Sequence, residues 1–500
     1  MPIGEEAQTR FDALQDRLVP LWQSIRALND DAQTIVVVPS ISIDLVDASH
    51  VPMQSYEERL LFMLLLLRQP RARMVYVTSQ PILPSVVEYY LDLLPGVIPS
   101  HARARLSLVP VLDGTSRPLT QKLLERPRVL QRIRDLVPDP TRAHLVPFNA
   151  SILERDLALA LGIPMYAADP RHHRFGTKSG GRTLFAAEGV PHPAGVEDLH
   201  DLDEVVDAIA GMCANDSSLA DVLVKLDEGV SGDGNALVHL DPGDDSADAI
   251  QAAVRSMRLE ADHLTVDGFA ARLAEWGGVV EARVQGTDLA SPSVQMRITP
   301  LGELEILSTH DQLLGGTDGQ SYFGCVFPAD AAYATTITEH AARIGTRLAR
   351  QGVIGRFAVD FVVARDEDGV WQAHAIEINL RKGGTTHPFL TLQFLTDGTY
   401  DATTATFTAP SGATKCFVAS DRVESSAYRQ LTPDDLFDIA VRHALHFDAT
   451  RQTGVVFHML AALTEAGRLG MTAVADTRAD AQAIFDRAVS ILDAEADPAT

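Results

Sequence analysis

Positive charge is scarce in this chain. Its 42 lysines and arginines stand against 67 aspartates and glutamates, a formal net charge of −25. So acidic a chain lacks the positive surface that non-specific nucleic-acid binding needs. A phosphorylated small molecule is not excluded, because a local cationic site can override the global field. Cysteine is scarcer still: Cys213, Cys325 and Cys416 are scattered without metal-type spacing, and an odd count without pairs fits a reducing cytosol. Long hydrophobic runs are missing too. LLFMLLLL (60–67) is too short to span a bilayer and is bounded by Glu57, Glu58 and Arg68, so it predicts a buried helix. The first residues, MPIGEEAQTRFDALQDRL, carry acids where a signal peptide has a basic segment. The expectation is a cytoplasmic protein with no nucleic-acid or membrane partner. Internal repeats, low-complexity tracts and a recognisable order of serine, histidine and acid for covalent hydrolysis are also lacking.

What is present suits a globular enzyme. At 500 residues, with 46% hydrophobic and 22% charged, the chain can build two to four domains. Residues 1–165 alternate strand candidates (TIVVVPS, ARMVYVTS) with helix candidates (SYEERLLFMLLLLRQ, SVVEYYLDLLP), which favours a parallel sheet wound with helices, an α/β domain. No GxGxxG follows the first strand, so a dinucleotide site there is unsupported. Residues 166–412 are rich in strands and glycine, an α+β pattern. Residues 413–500 predict a small α+β module, helix–strand–strand–helix. Thr432-Pro433-Asp434-Asp435 opens its first helix, GVVFHML and LGMTAVA are its strands, and Thr477 starts the last helix.

The most informative stretch is AIEINLRKGGTTHPF (375–389). Alternation over six residues reads as a strand with Ile376, Ile378 and Leu380 in a core and Glu377, Asn379 and Arg381 on the other face. RFAVDFVVA (356–364) alternates likewise, and the intervening RDEDGVW has turn chemistry, so the two predict an antiparallel hairpin. With the turn there, Asp360 and Glu377 become near cross-strand partners. Like charges so placed repel. A cation between them removes that penalty, and an all-oxygen donor set of Asp360, Glu377 and Asn379 points to magnesium with a phosphate ligand rather than zinc. Arg381 beside them can meet further negative charge.

Other segments suit phosphate handling. Lys225 ends the strand candidate VLVKL, and in the EGVSGDGNALV that follows Gly229, Gly232 and Gly234 allow close backbone approach to a ligand. No Gly-Lys-Ser/Thr follows and the loop runs into a strand, so this is not a P-loop. Lys178 precedes a helix candidate, and VVEARVQ places Glu281 and Arg283 on one side, with Asp288 after a turn.

In that order, Lys178, Lys225 with its glycine-rich hairpin, Glu281 with Asp288, Asp360 and EINLR resemble the ATP-grasp ligases over roughly residues 166–410. With GGTTHPF and GVVFHML included, nearly the whole chain is similar to pheganomycin-type peptide ligases, which implies a place in secondary metabolism. The resemblance implies an N-terminal pre-ATP-grasp domain (1–165), a two-lobed ATP-grasp domain (166–412, with a lid over roughly 195–278) and the C-terminal module. It implies ATP and Mg2+ as cofactors. Lys178 and Lys225 would contact ATP phosphates beneath Gly229, Ser231, Gly232 and Gly234. Glu281 and the backbone at Val284 would take adenine, and Asp288 the ribose. Asp360, Glu377 and Asn379 would hold the metal, and Arg381 would steady the transferring phosphoryl group. Many relatives carry an arginine two residues before the metal aspartate, where this chain has Ala358; Arg356 is the replacement expected. Arg297, His310, Gln312 and His387 complete the substrate-contact candidates. The activity implied is amide-bond formation between a carboxylic acid and an amine, with an amino acid or peptide as acceptor, through an acylphosphate. The alternatives are a kinase that stops at the phosphorylated product and a nucleotide-binding protein without turnover. Any homo-oligomer would most commonly be a dimer.

Overall fold

The apolar runs near the start of the chain meet as a parallel sheet. A computed structural model describes residues 4–28, 32–42, 53–229, 232, 234–241, 243–261, 264–315, 319 and 321–497. Four parallel strands lie in the spatial order Leu106–Pro110, Ala72–Thr78, Gln33–Val38 and Ala143–Pro147. Alternate residues serve opposite faces, as pleating requires. Val36, Val38, Val75 and Val77 join a core with Phe11, Leu123 and Leu157, while Ile35, Val37, Met74 and Tyr76 join one with Leu61 and Leu65. The oily run is the buried helix its sequence predicts, but wound as a 3₁₀ helix over Glu58–Arg68. Neighbours on every side bury Leu60 through Leu65 and Leu67, so no polar face is needed.

Three further sheets follow, all antiparallel; the smallest pairs Thr399–Asp401 with Thr406–Thr408. One has five strands in the order Gly195–Leu199, Gly278–Ala282, Asp221–Leu226, Asn235–His239 and Arg258–Leu259. Helices Leu202–Asn215, Ala247–Arg255 and Val266–Trp276 contribute to its separate core. The largest has nine strands. Its order is Leu289–Ala290, Gly355–Arg365, Pro292–Ile298, Leu304–Gly315, Ser321–Phe327, Cys416–Glu424, Arg468–Ala475 and Gly454–His458, with Trp371–Asn379 also paired to Gly355–Arg365.

The C-terminal elements form as their caps predict. Thr432 and Asp435 make a reciprocal capping box on Pro433–Arg442, and Thr477 caps Arg478–Glu495. Their strands do not close a sheet of their own. Through Cys416–Glu424 they extend the nine-stranded sheet, so the module is an extension of the central layer in space. Among the described residues, no helix is long and apolar enough to cross a membrane.

Candidate active site

Gly355–Arg365 and Trp371–Asn379 form the expected hairpin, closed by a turn in which Val370 N–H donates to Asp366 Oδ1 at 2.8 Å. Asp360 pairs with Glu377 and Ala358 with Asn379. Beyond Asp360 the ladder slips, and Phe361 pairs with Ala375. Ile376 is the extra residue of this bulge. It therefore departs from the alternation: half-buried, it lines the cavity beside Glu377 while Ala375 enters the core. Ile378 is buried and Leu380 packs against the core edge, as the alternation predicts.

The two carboxylates sit in different electrostatic surroundings. Asn379 Nδ2 donates to Asp360 Oδ2 at 2.9 Å, and Lys178 Nζ lies 3.2 Å from Glu377 Oε2. Burial, reinforced by the Glu377 charge, pushes Asp360 up to about 6; Ser293, Gln312 and Arg381 offset only part of this. Burial also opposes ionisation of Glu377, but Lys178, Arg381 and Lys225 outweigh it and hold its pKa below the ordinary carboxylate range. Burial lowers the Arg381 pKa, against the pull of Glu377 and Asp360.

Lys178 is the first residue of helix Lys178–Ala187, whose N-cap Thr177 accepts from Gly180 N–H. A Cβ on Gly180 would fall 1.8 Å from the Arg174 carbonyl oxygen, so only glycine permits this entry. One turn along, Arg182 is 2% exposed and donates through Nη1 to Glu281 Oε1 at 2.9 Å. The other Glu281 oxygen accepts from Lys225 Nζ at 2.5 Å. The Lys225 strand pairs with the Glu281 strand where Gly278 approaches closely, a Cβ there lying 2.5 Å from the Lys225 carbonyl oxygen. Glu281 is thus a buried carboxylate between two cations. Burial opposes its charge, and Lys225 with Arg182 overcomes that and holds its pKa low.

These groups meet at one cavity of about 450 Å³ between the five- and nine-stranded sheets. Lys178, Lys225, Glu281 and Val284 line it together with Asp360, Glu377, Asn379 and Arg381. Gln312 lines it too, and so does Gly232, whose φ of +88° favours glycine. Gly229 borders a smaller adjoining cavity of about 70 Å³ that shares Lys178, Glu377, Asn379 and Arg381. Gly234 is in the hairpin turn, its carbonyl accepting from Leu226 N–H. Ser231 lies outside the described residues.

Several candidates stand elsewhere. Asp288 does not line the cavity; its side chain is 60% exposed and pairs with Arg365 at 3.5 Å. His310 is a core residue, hydrogen-bonded to Ser308 Oγ and packed on Phe327, Phe389 and Phe417, with burial pushing its pKa down to about 3. Arg297 and Arg356 are cross-strand neighbours away from the cavity, Arg297 paired with Glu305 at 2.5 Å. Arg356 therefore does not stand in for the missing arginine at Ala358. His387 is buried against Asp421 and His458 beside the site. Missing from the sequence-based set are Arg182, one helical turn from Lys178 and so detectable by spacing, and Arg59, Ser293 and Tyr322, which only the fold brings to the cavity.

Paired acids in a cation-lined cleft between two of the larger sheets suit a metal ion carrying a polyphosphate. The family described as "IQCH-like, ATP-grasp" matches residues 171–242 and 260–403, and the "PGM1 C-terminal domain" matches 435–488. L-propargylglycine--L-glutamate ligase of Streptantibioticus cattleyicolor is 31% identical over 434 residues, covering 85% of this chain and 87% of that protein. IQ motif-containing protein H of Danio rerio is 24% identical over 97% of this chain, which spans 50% of its length. The chain belongs to the ATP-grasp ligase family. Among solved structures, a biotin carboxylase–β,γ-ATP complex from Campylobacter jejuni shares the fold at TM-score 0.55 and 12% identity, covering 94% of this chain and 96% of that one. An ADP complex of purK, N5-carboxyaminoimidazole ribonucleotide synthetase, does so at TM-score 0.53 and 11% identity, covering 93% and 98%.

Proposed function

We propose that this protein is an ATP-dependent carboxylate–amine ligase that forms an amide bond and releases ADP and phosphate. Both substrates are small molecules, the acceptor being an amino acid or short peptide. The observation that carries this reading is the cross-strand pair Asp360–Glu377, with Asn379 bonded to it, facing Lys178, Lys225 and Arg381 in one cavity. The relative named for joining L-propargylglycine to L-glutamate supports amino acids on both sides of the bond.

A carboxylate is a poor electrophile because its leaving group would be oxide. Its oxygen attacks the γ-phosphorus of ATP, the bond to the β-phosphate oxygen breaks, and an acylphosphate forms. The amine lone pair then attacks the acyl carbon, phosphate leaves with the C–O electrons, and the amine loses a proton. Lys178 and Lys225 hold phosphate oxygens, and Glu281 anchors the Lys225 Nζ. Arg381 steadies the transferring group and the tetrahedral intermediate that follows. Oxygen donors alone, two of them carboxylates in direct apposition, fit Mg2+ held by Asp360, Glu377 and Asn379. When bound, it supplies charge neutralisation on the phosphates. The unit over roughly 195–278 acts as the lid that keeps water from the acylphosphate. Backbone near Val284 contacts adenine. The chain divides into 1–165, 166–412 and 413–500, works in the cytoplasm where ATP is supplied, and pairs as a homodimer.

The test is an ADP-release screen of acids crossed with amines and peptides, starting from L-glutamate with L-propargylglycine, with product masses recorded. Amine-dependent ADP release and an amide mass are expected. A phosphorylated product without amine makes it a kinase, and nucleotide binding without turnover makes it non-catalytic.

A further inference from the structure

Besides Arg381, two arginines line the cavity: Arg283, which lies 3.5 Å from Asp221, and Arg59, which the reaction above does not use. Arg59, from the 3₁₀ helix of the N-terminal region, lines it together with Arg381, Tyr322 and Gly383–Thr385. Its side chain is 12% exposed and is held on several sides. Nη2 lies 2.6 Å from Asp421 Oδ2, Nε donates to Met459 Sδ at 3.4 Å, and the guanidinium sits 4.1 Å from the Tyr56 ring centroid. Asp421 is itself clamped, with His387 Nε2 and His458 Nε2 each 3.0 Å from its Oδ1. Burial opposes the Asp421 charge, but Arg59 and His387 overcome it and keep the carboxyl ionised.

Four segments distant in sequence therefore converge to orient one guanidinium at the cavity wall. The His387, Asp421 and His458 ligand atoms lie within 4.8 Å of one another, a spacing a metal ion could use. Arg59 already supplies the countercharge on Asp421, which favours a positioning role for the cluster. Arg59 carries five N–H donors, more than Asp421 and Met459 take up. Arg59 and Arg381 set two like charges on the same cavity wall. An anion relieves both problems, and a planar carboxylate fits the guanidinium fork.

We infer that Arg59 is the anion-binding group of a carboxylate subsite, taking a free carboxylate of an amino acid substrate other than the one being activated, with Asp421 as its positioning residue. This rests on the ligase reading above. The donor and the acceptor are both sources of such a group, and the kinetics separate them.

In the most active pair from the screen, Arg59→Gln raises KM for one amino acid substrate about 100-fold, with kcat and KM for ATP within about threefold of wild type. Replacing that substrate's free carboxylate by a carboxamide costs wild type as much and costs Arg59→Gln almost nothing more. Whichever substrate's KM moves identifies the source. Arg59→Lys, which keeps the charge without the fork and guards against a folding defect, recovers part of the loss. Asp421→Asn gives the same KM-only change. Unchanged KM values, additive losses, or a carboxamide accepted as well as the acid overturn the subsite, as does a stoichiometric metal at His387, Asp421 and His458 with wild-type KM in Arg59→Gln. If no pair turns over, the ligase reading fails instead. Calorimetric binding of L-glutamate and of L-propargylglycine to wild type and Arg59→Lys, with non-hydrolysable ATP analogue and Mg2+, then decides the subsite: weaker binding in the variant supports it and equal binding overturns it.

Discussion

Asp360 and Glu377 stand directly opposite each other across an antiparallel hairpin, where facing side chains more often carry opposite charge or none. The arrangement costs folding free energy while no cation is bound, and that cost shows where function has overridden stability. Asp360→Asn separates the two. Its native pKa is raised to about 6 from an ordinary 3.8, so the burden of its charge is absent at pH 3 and fully present above pH 7. In Mg2+-free buffer, Asp360→Asn raises Tm at pH 8 and leaves it nearly unchanged at pH 3, while ADP release at pH 8 falls at least about 100-fold. Differential scanning fluorimetry with a coupled ADP assay measures both.

Glu281 carries the opposite lesson. Its two oxygens are occupied by Lys225 and Arg182, and all three side chains are buried. Glu281→Gln strands two cations in low dielectric and destabilises the protein by about 3–5 kcal/mol, read from urea unfolding. Lys225→Met leaves one cation on Glu281. It costs less stability than Glu281→Gln and raises KM for ATP.

Gly180→Ala tests how Lys178 is aimed. The added methyl meets the Arg174 carbonyl 1.8 Å away, so the helix start must shift. The loss is about 1–3 kcal/mol of stability, with weaker ATP binding by calorimetry. Gly189→Ala, in open space at positive φ, costs backbone strain alone and leaves ATP affinity at wild type.

His310 sets an acid limit. Burial pushes its pKa down to about 3 from an ordinary 6.5, so the unfolded chain takes up a proton that the native core refuses. Stability is therefore lost as pH falls from about 6.5 towards 3. His310→Gln, which keeps a partner for Ser308, flattens that part of the Tm–pH profile without changing kcat.

Much of the site was legible from local pattern. Period-two alternation on either side of an Asp-rich turn located the hairpin, and the spacing of Lys178, Lys225, Glu281, Asp360 and Glu377 recovered the order of cavity-lining groups. Arg297, Arg356 and His310 share a strand face with the cavity-lining Gln295, Ala358 and Gln312, but each stands two residues further along its strand, outside the cavity. Alternation reports the face a side chain takes and not how far along the strand a cavity extends. The turn that carries Asp288 takes its side chain out to solvent.

By itself the sequence determined the strands and helices, the caps that start them, and which short segments carry acid, base and glycine, because those depend on neighbours a few residues apart. Tertiary structure alone decided that Ile376 leaves the core at a bulge, that Glu281 serves Lys225 and Arg182, that the C-terminal strands extend the central sheet, and that Arg59 reaches Asp421. Those outcomes depend on register between distant strands and on burial, where a one-residue slip or a change in solvent exposure reverses what a side chain can do.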